Sequence, residues 1–476
     1  IIALNYCYYF GDKIMKLKLL SAAILSISSV TAHAGSFALV TNGDDSGKGS
    51  LRDALESQKA RTVYIMPDVN MIELSDTLNY DSQKSLRIFG SGQTVKLPKN
   101  ATLLSINEGA NLAISDLTLE GLVDTYSIEN RADLDGELAG KGIFIDVRDD
   151  QTGTVSLSLK NVTVQGFANH GVHVSDCSLS DACGAGSGGA GEGSDASIQV
   201  TMINSMINDV GNGKFDADGL RVDDRGAGDI IFYSRNSTFQ NVGADGVELD
   251  EGNEGSIYAD VVRSQFLSNG AYCDPALFPG VEADGEFEPG ELMEADLAIP
   301  SGSLDDTCIE IAIDLYEDGS IKEYEFALDL DDGIDLDEAG DGSIYSFMSK
   351  SLISLNLDEG VDYDEAGNGG IDAAFIRNRG IENNDDAFKM SEEDAGDLSV
   401  FVRRTDAFNN GGEGFTFEEE GEGNVDAFVI RVNTAGNKKE NKDGLEVVQE
   451  DEGQGTLRLI RSNIEDGIKL EGVELK

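Results

Sequence analysis

The sequence predicts an all-β solenoid, a stack of three-stranded coils. Three observations predict it: glycine-led dipeptides recurring at a fixed step, short runs alternating apolar and polar, and a composition of many turns and few kinks. Glycine numbers 56 and proline 6 in 476 residues, and tryptophan is absent. A helical bundle is not built from that composition. Hydrophobic residues make up 40%, enough for a real core despite the charge.

The repeat is legible in Asp218-Gly219, Asp245-Gly246, Asp332-Gly333, Glu359-Gly360, Asp386-Ala387, Glu413-Gly414 and Asp443-Gly444. The steps between them are 27, 87, 27, 27, 27 and 30 residues, the long one being a coil plus an insertion. Lys141-Gly142 and His170-Gly171 open earlier units, the latter 48 residues before Gly219. A fixed period of this size marks a stacked architecture. Each unit begins with a strand whose apolar pair alternates with polar residues: Val247/Leu249, Ile334/Leu336, Val361/Tyr363, Phe388/Met390, Phe415/Phe417 and Leu445/Val447. A second strand carries Ile257 and Ala259, Ile344, Leu398 and Val400, or Val425 and Ala427. A third, shorter element carries Phe239, Phe266, Ile353, Ile381 and Phe408. Asn269, Asn356, Asn383, Asn410 and Asn437 recur at one corner. They are expected to take its left-handed backbone and to hydrogen-bond as a ladder. Helical repeats would need apolar spacings of three and four, and propeller blades about 40 residues each.

With this pattern the chain resembles secreted right-handed parallel β-helix proteins, the pectin-lyase-like fold family. Val40-Thr41-Asn42, followed by Asp45-Ser46-Gly47 and Gly49-Ser50-Leu51-Arg52, is similar to the N-terminal segment of exported bacterial β-helix surface proteins. Ser50 and Asp53 there form an N-cap pair, and Leu51, Ala54 and Leu55 one apolar face. A short helix closing the exposed solenoid end is expected, since an open edge invites aggregation.

Met15 opens a secretory signal, with Lys16 and Lys18 before a short apolar stretch and Ala32-His33-Ala34 as the cleavage site. Residues 1–14 read as translated upstream sequence and 15–34 as signal peptide. Residues 35–476 read as one β-helix domain, with 35–110 forming the N-terminal cap and first coils. Insertions are expected at 177–193 and 271–330. The last unit, from Asp466-Gly467, stops without an obvious cap, as a truncated C-terminus would. An exported product, secreted or on the bacterial cell surface or in the periplasm, is expected, as a monomer, with no membrane insertion of the mature chain. Cys177/Cys183 and Cys273/Cys308 are close pairs that suggest two local disulfides. Zinc, the competing reading, lacks a CxxC spacing or a histidine cluster.

With 35 basic against 89 acidic side chains, a net charge of -54 excludes nucleic acid and anionic lipid as broad partners. The acidity concentrates after the first strand. The resulting column of carboxylates is Asp223, Asp224, Asp250, Glu251, Asp337, Glu338, Asp364, Glu365, Glu392 and Glu419. Stacked about 5 Å apart in water, each such pair repels by about 1 kcal/mol, so the column calls for counterions. Calcium, a hard cation taking oxygen ligands, is the natural one, although the calcium-binding nonapeptide of β-rolls is absent. Asp314, Asp318 and Glu325 roughly fit a calcium-loop spacing. Their flanks alternate like strands, so a hairpin turning at Asp318-Gly319 explains them better.

The family resemblance implies two chemistries. Its lyases cleave acidic polysaccharides with calcium and an Arg or Lys base, which makes Arg221 the candidate catalytic residue here. Its hydrolases use aspartates near a histidine. Asp216-Ala217-Asp218-Gly219, Asp223-Asp224 and Asn169-His170-Gly171 echo those elements in a different chain order. Ice binding would need a threonine ladder, whereas the outward column reads Arg, Glu, Asp, Asp, Lys, Thr, Glu. The reading reached is a non-enzymatic solenoid for adhesion or contact with an extracellular glycan or cell-surface component. A polysaccharide lyase is the alternative.

Overall fold

The structure, a computed structural model, describes residues 37–122, 140–177, 193–277, 284–287, 308–315, 321–437, 443–451 and 453–476. The expected signal peptide and Cys183 lie outside these residues.

The predicted stack is present. A first face holds twelve parallel strands, from Leu78–Tyr80 to Ile468–Glu471. Leu220 pairs with Val247 and Ile334 with Val361, one coil apart. The register also crosses both insertions: Val172 pairs with Leu220, and Leu249 with Leu336. Like residues therefore sit over like, as a constant step through a parallel sheet requires. The second and third faces follow in every coil, for example Ile230–Arg235 and Thr238–Val242, paired onto Ile257–Val262 and Gln265–Leu267. The apolar residues predicted to face inward in the first two strands of each coil are buried in one continuous core. The chain thus folds as a parallel β-helix.

The third strand departs from expectation. Phe239, Phe266 and Ile353 point inward, but the next coils continue the inner row with Gly380 and Ala407, leaving Ile381 and Phe408 half-buried on the other side. The pairing keeps its step, so the inner positions themselves are small here, beside Phe388 and Phe415, stacked with centroids 5.1 Å apart. A Cβ on Gly380 would stand 3.0 Å from the Phe388 ring and 2.5 Å from Ala387 Cβ. Large first-strand rings thus meet small third-strand partners in a close-packed core, with the register unchanged.

The asparagine ladder is present. Asn269 donates to Asn356 (3.0 Å), Asn356 to Asn383 (2.9 Å), Asn383 to Asn410 (3.1 Å) and Asn410 to Asn437 (2.8 Å). The left-handed residue is not the asparagine but its predecessor: Ser268, Leu355, Glu382 and Asn409 all have φ near +60°. That twist frees each buried amide to reach the coil below. Asn383→Ala is expected to lower the unfolding free energy by about 1–3 kcal/mol, since the Asn356 side-chain amide and backbone N–H lose their buried acceptor, while Asn410 Oδ1 keeps only the backbone donor. Urea unfolding checks this.

At the N-terminal end the helical segment is a π-helical turn, Asp53–Ser57. Ser50 Oγ accepts from the Asp53 N–H (3.1 Å), and the Asp53 carboxylate from the Gly49 N–H (3.4 Å). Leu51, Ala54 and Leu55 are buried. In the second insertion, Ile309–Leu315 and Ile321–Leu328 pair antiparallel, as the hairpin reading requires, and Asp284–Phe287 adds a third strand. Cys273 and Cys308 form a disulfide at its base. The pairing of Cys177 with Cys183 falls outside the described residues.

Candidate functional site

Strand alternation divides the predicted acidic column in two. Asp223, Asp250, Asp337 and Asp364 occupy the outward positions of the first face, in register with one another. Their successors Asp224, Glu251, Glu338, Glu365, Glu392 and Glu419 point inward at the corner and are all at most 1% exposed. The single outer line expected from the dipeptides is therefore an outer and an inner one. At the corner the inner carboxylates close the turn. Glu251, Glu338, Glu365 and Glu419 each accept from the glycine N–H four residues on, at 2.8–3.1 Å. Asp176 heads this column and Gln449 ends it.

Burial, then mutual repulsion, raises these groups. Asp224 is pushed up to about 9, Glu338 to about 10 and Glu392 to about 9. Burial pushes Glu251 up to about 7. Glu338 Oε2, Glu365 Oε2 and both Glu392 oxygens are buried with no donor among the described residues. At neutral pH, therefore, part of this column holds protons that neighbouring carboxylates share.

On the outer face the first-strand residues Arg221, Glu248, Asp335, Asp362 and Lys389 stack in register. Arg221, 2% exposed, engages five carboxylates. Nε donates to Asp223 (2.7 Å), Nη1 to Glu248, Asp216 (3.3 Å) and Asp218 (3.4 Å), and Nη2 to Asp250 (3.3 Å). Arg225 holds the other side of Asp250. One coil above, His173 Nε2 lies 2.6 Å from Asp223 Oδ2, and His170 Nδ1 accepts from the Asp218 N–H (2.8 Å). Lys141 Nζ contacts His173 Nδ1 and lies 4.9 Å from the Phe144 ring centroid. Asp218, Asp223, His170 and His173 thus converge in space although the chain brings them from separate coils.

The charges follow from these contacts. Burial, reinforced by Lys141, holds His173 down at about 4, and burial takes His170 well below its ordinary value. Burial also lowers Lys141 to about 7. Burial and the Asp216 charge raise Asp218 to about 7. Asp223 goes the other way: burial would raise it, but Arg221 and His173 hold it far below the carboxylate range.

Carboxylate oxygens come within 4.8 Å of one another in Asp216/Asp218/Glu248, Glu248/Asp335/Asp337 and Asp332/Glu359/Asp362, among other groups. Of the predicted ligands only Asp337 belongs to these clusters, and the inner-column residues stand apart from them. Most of the remaining members are the repeat's own corner acids and the outward first-strand residues. Apart from Asp216 and Asp218, sequence reading had given these only a backbone or solvent-facing role.

The chain matches no family model and no curated protein. Among solved structures, ORF18 of Geobacillus virus E2 is similar at 10% identity and TM-score 0.36 over 92% of this chain and 61% of that one. The chain thus spans about three fifths of that protein's length. A double mutant of the periplasmic alginate epimerase AlgG aligns at 10% identity and TM-score 0.37, over 87% and 75% of the two chains. Pectate lyase Pel9A aligns at 11% and 0.34, over 93% and 80%. These likenesses concern the fold alone.

Proposed function

We propose that the chain is an exported, non-enzymatic β-solenoid, stabilised by cations and used for adhesion or glycan contact. The observation that carries this reading is the state of Arg221, the candidate catalytic residue. Buried and engaged by five carboxylates, it has the environment of a structural cation. The oxygen clusters on the same face suit calcium, a hard cation. Glu248, Asp335 and Asp337 would hold one ion, and Asp332, Glu359 and Asp362 another beside the Lys389 ammonium, which already pairs with Asp362 (2.7 Å) and Glu359 (3.5 Å). Asp332 Oδ1 and Asp362 Oδ1 are buried and lack donors among the described residues, which fits a cation ligand.

One observation favours the lyase alternative. Lys141, half-buried at the rim and lowered to about 7, has the poise of a base that could take the proton α to a uronate carboxylate. The carbon–oxygen bond to the neighbouring sugar would then break, leaving an unsaturated product. Incubation with a panel of uronate polysaccharides and calcium, followed by product absorbance, separates the two readings. No product is expected. Product that forms with the parent chain and vanishes in Lys141→Met would establish the lyase instead.

A further inference from the structure

Between the second and third faces every coil passes through one left-handed residue, and these residues stack. In order they are Asp116, Asn161, Asn204, Asn236, Arg263, Lys350, Arg377, Arg404, Arg431 and Arg461, with φ from 50° to 64°. The register of the strands before them confirms the stacking: Arg235 pairs with Val262, Val262 with Ser349, Ser349 with Ile376, Ile376 with Arg403 and Arg403 with Ile430. The first four use the side chains that tolerate this backbone best. Asn161, Asn204 and Asn236 also form a ladder, each donating to the coil before it at 2.8–3.3 Å.

From Arg263 onward the corner changes chemistry for six consecutive coils. Arginine and lysine gain nothing locally from a left-handed backbone, so the change costs stability at each coil where asparagine was available. No compensating contact appears: among the described residues, none of the six side chains forms an ion pair or hydrogen bond. Five are exposed and Arg404 is half-buried. The result is a ridge of unneutralised cations at a repeat of about 4.8 Å, on a chain whose net charge is -54. Phe347, Phe401 and Phe428 flank it. Each is half-buried on the second face, three residues before Lys350, Arg404 and Arg431 respectively, and the last two rings lie 5.5 Å apart.

We propose that this ridge binds a linear acidic polysaccharide laid along the solenoid axis. Its uronate carboxylates would meet the cations in successive coils, and the C–H faces of its sugars would lie on the phenylalanine rings. The periodicity suits a polymer with one charge per sugar, since each added coil meets an added unit. The acidic first face does not forbid binding, because the Debye length is only about 8 Å at physiological salt. The proposal rests on the glycan-contact reading and names its surface and ligand class.

The test uses the full chain, labelled galacturonate oligomers and chelator, which removes calcium bridging from the acidic face. Arg377→Asn/Arg404→Asn/Arg431→Asn places in the ridge the residue its earlier coils already use. We expect at least tenfold weaker binding with an unchanged or higher melting temperature. Binding within twofold of the parent would overturn the ridge and leave glycan contact standing. Preferential binding of a neutral glucan oligomer would do the same. Single-stranded DNA bound as tightly as the uronate would overturn the ligand class. Failure of every glycan to bind would sink both the ridge and the reading beneath it.

Discussion

Without divalent cations, the melting temperature is expected to fall steadily as pH rises from 6.5 to 9.5. The inner corner column is the cause. An unfolded glutamate gives up its proton near 4.5, whereas in the folded chain burial and mutual repulsion keep Asp224, Glu338 and Glu392 protonated to about 9 or 10. Across this window the native state binds more protons than the unfolded one, so unfolding becomes easier as pH rises. The slope is about 1.4 kcal/mol per pH unit for each retained proton. Lys141 opposes this by one group. Lowered to about 7, it binds fewer protons folded than unfolded above that pH, and so adds stability as pH rises. The carboxyls outnumber it. Below 6.5 the sign reverses for the two buried histidines, which must stay neutral in the fold, so the window begins there. Glu338→Gln/Glu392→Gln should flatten the slope and raise the melting temperature at pH 9. An amide resembles the protonated acid, and Gln449 already occupies the column in register with Glu419. Calcium should raise the melting temperature more at pH 8 than at pH 5.5, where protons compete for the outer carboxylates. A profile flat or rising with pH would show that the column carries no shared protons.

The period, the coil, both insertions and the asparagine ladder were legible because a parallel stack repeats its errors as faithfully as its rules. The division of the acidic column was also present in the letters. Leu249 faces in, so Asp250 faces out and Glu251 faces in again, and strict alternation applied one residue further would have found it. Treating each acidic pair as a single outward unit hid it. The third-strand inner row was present in the letters too: Ile353 and Gly380 each lie 20 residues after their unit's glycine, and choosing the nearest large apolar residue, Ile381, hid it. The convergence of Lys141, His173 and Arg221 was obscured for another reason. Long, irregular steps separate their coils, so residues one layer apart in space look unrelated along the chain. Arg377, Arg404 and Arg431 do recur at the repeat's own step, but only the backbone shows that they share a left-handed corner.

Arg221→Met is expected to lose about 3–5 kcal/mol of unfolding free energy at pH 7.5, the cost typical of leaving buried charge without its partner. The substitution keeps most of the volume and removes only the guanidinium, so the loss reports on the five carboxylates left behind. They do not respond alike. Asp218, raised to about 7 by burial and Asp216, can take up a proton and relax. Asp223 cannot do so cheaply, because Arg221 and His173 are what hold it ionised against its burial. In the parent, its contribution is present above the unfolded value of 3.8 and is lost only as pH falls towards its much lower folded value. In the variant, burial raises Asp223 above 3.8 instead, so between that raised value and 3.8 the folded chain binds protons the unfolded one has released, and the deficit should be largest at neutral pH and shrink towards pH 4. Urea unfolding of parent and variant at pH 7.5 and 4.5 measures both quantities. A difference below about 1 kcal/mol at pH 7.5 would mean that the guanidinium is not what holds this face together. Loss of a polysaccharide-cleaving activity in an Arg221 variant would then carry weight as evidence of catalysis. If the large deficit is found, only the rim residue Lys141 can distinguish chemistry from architecture.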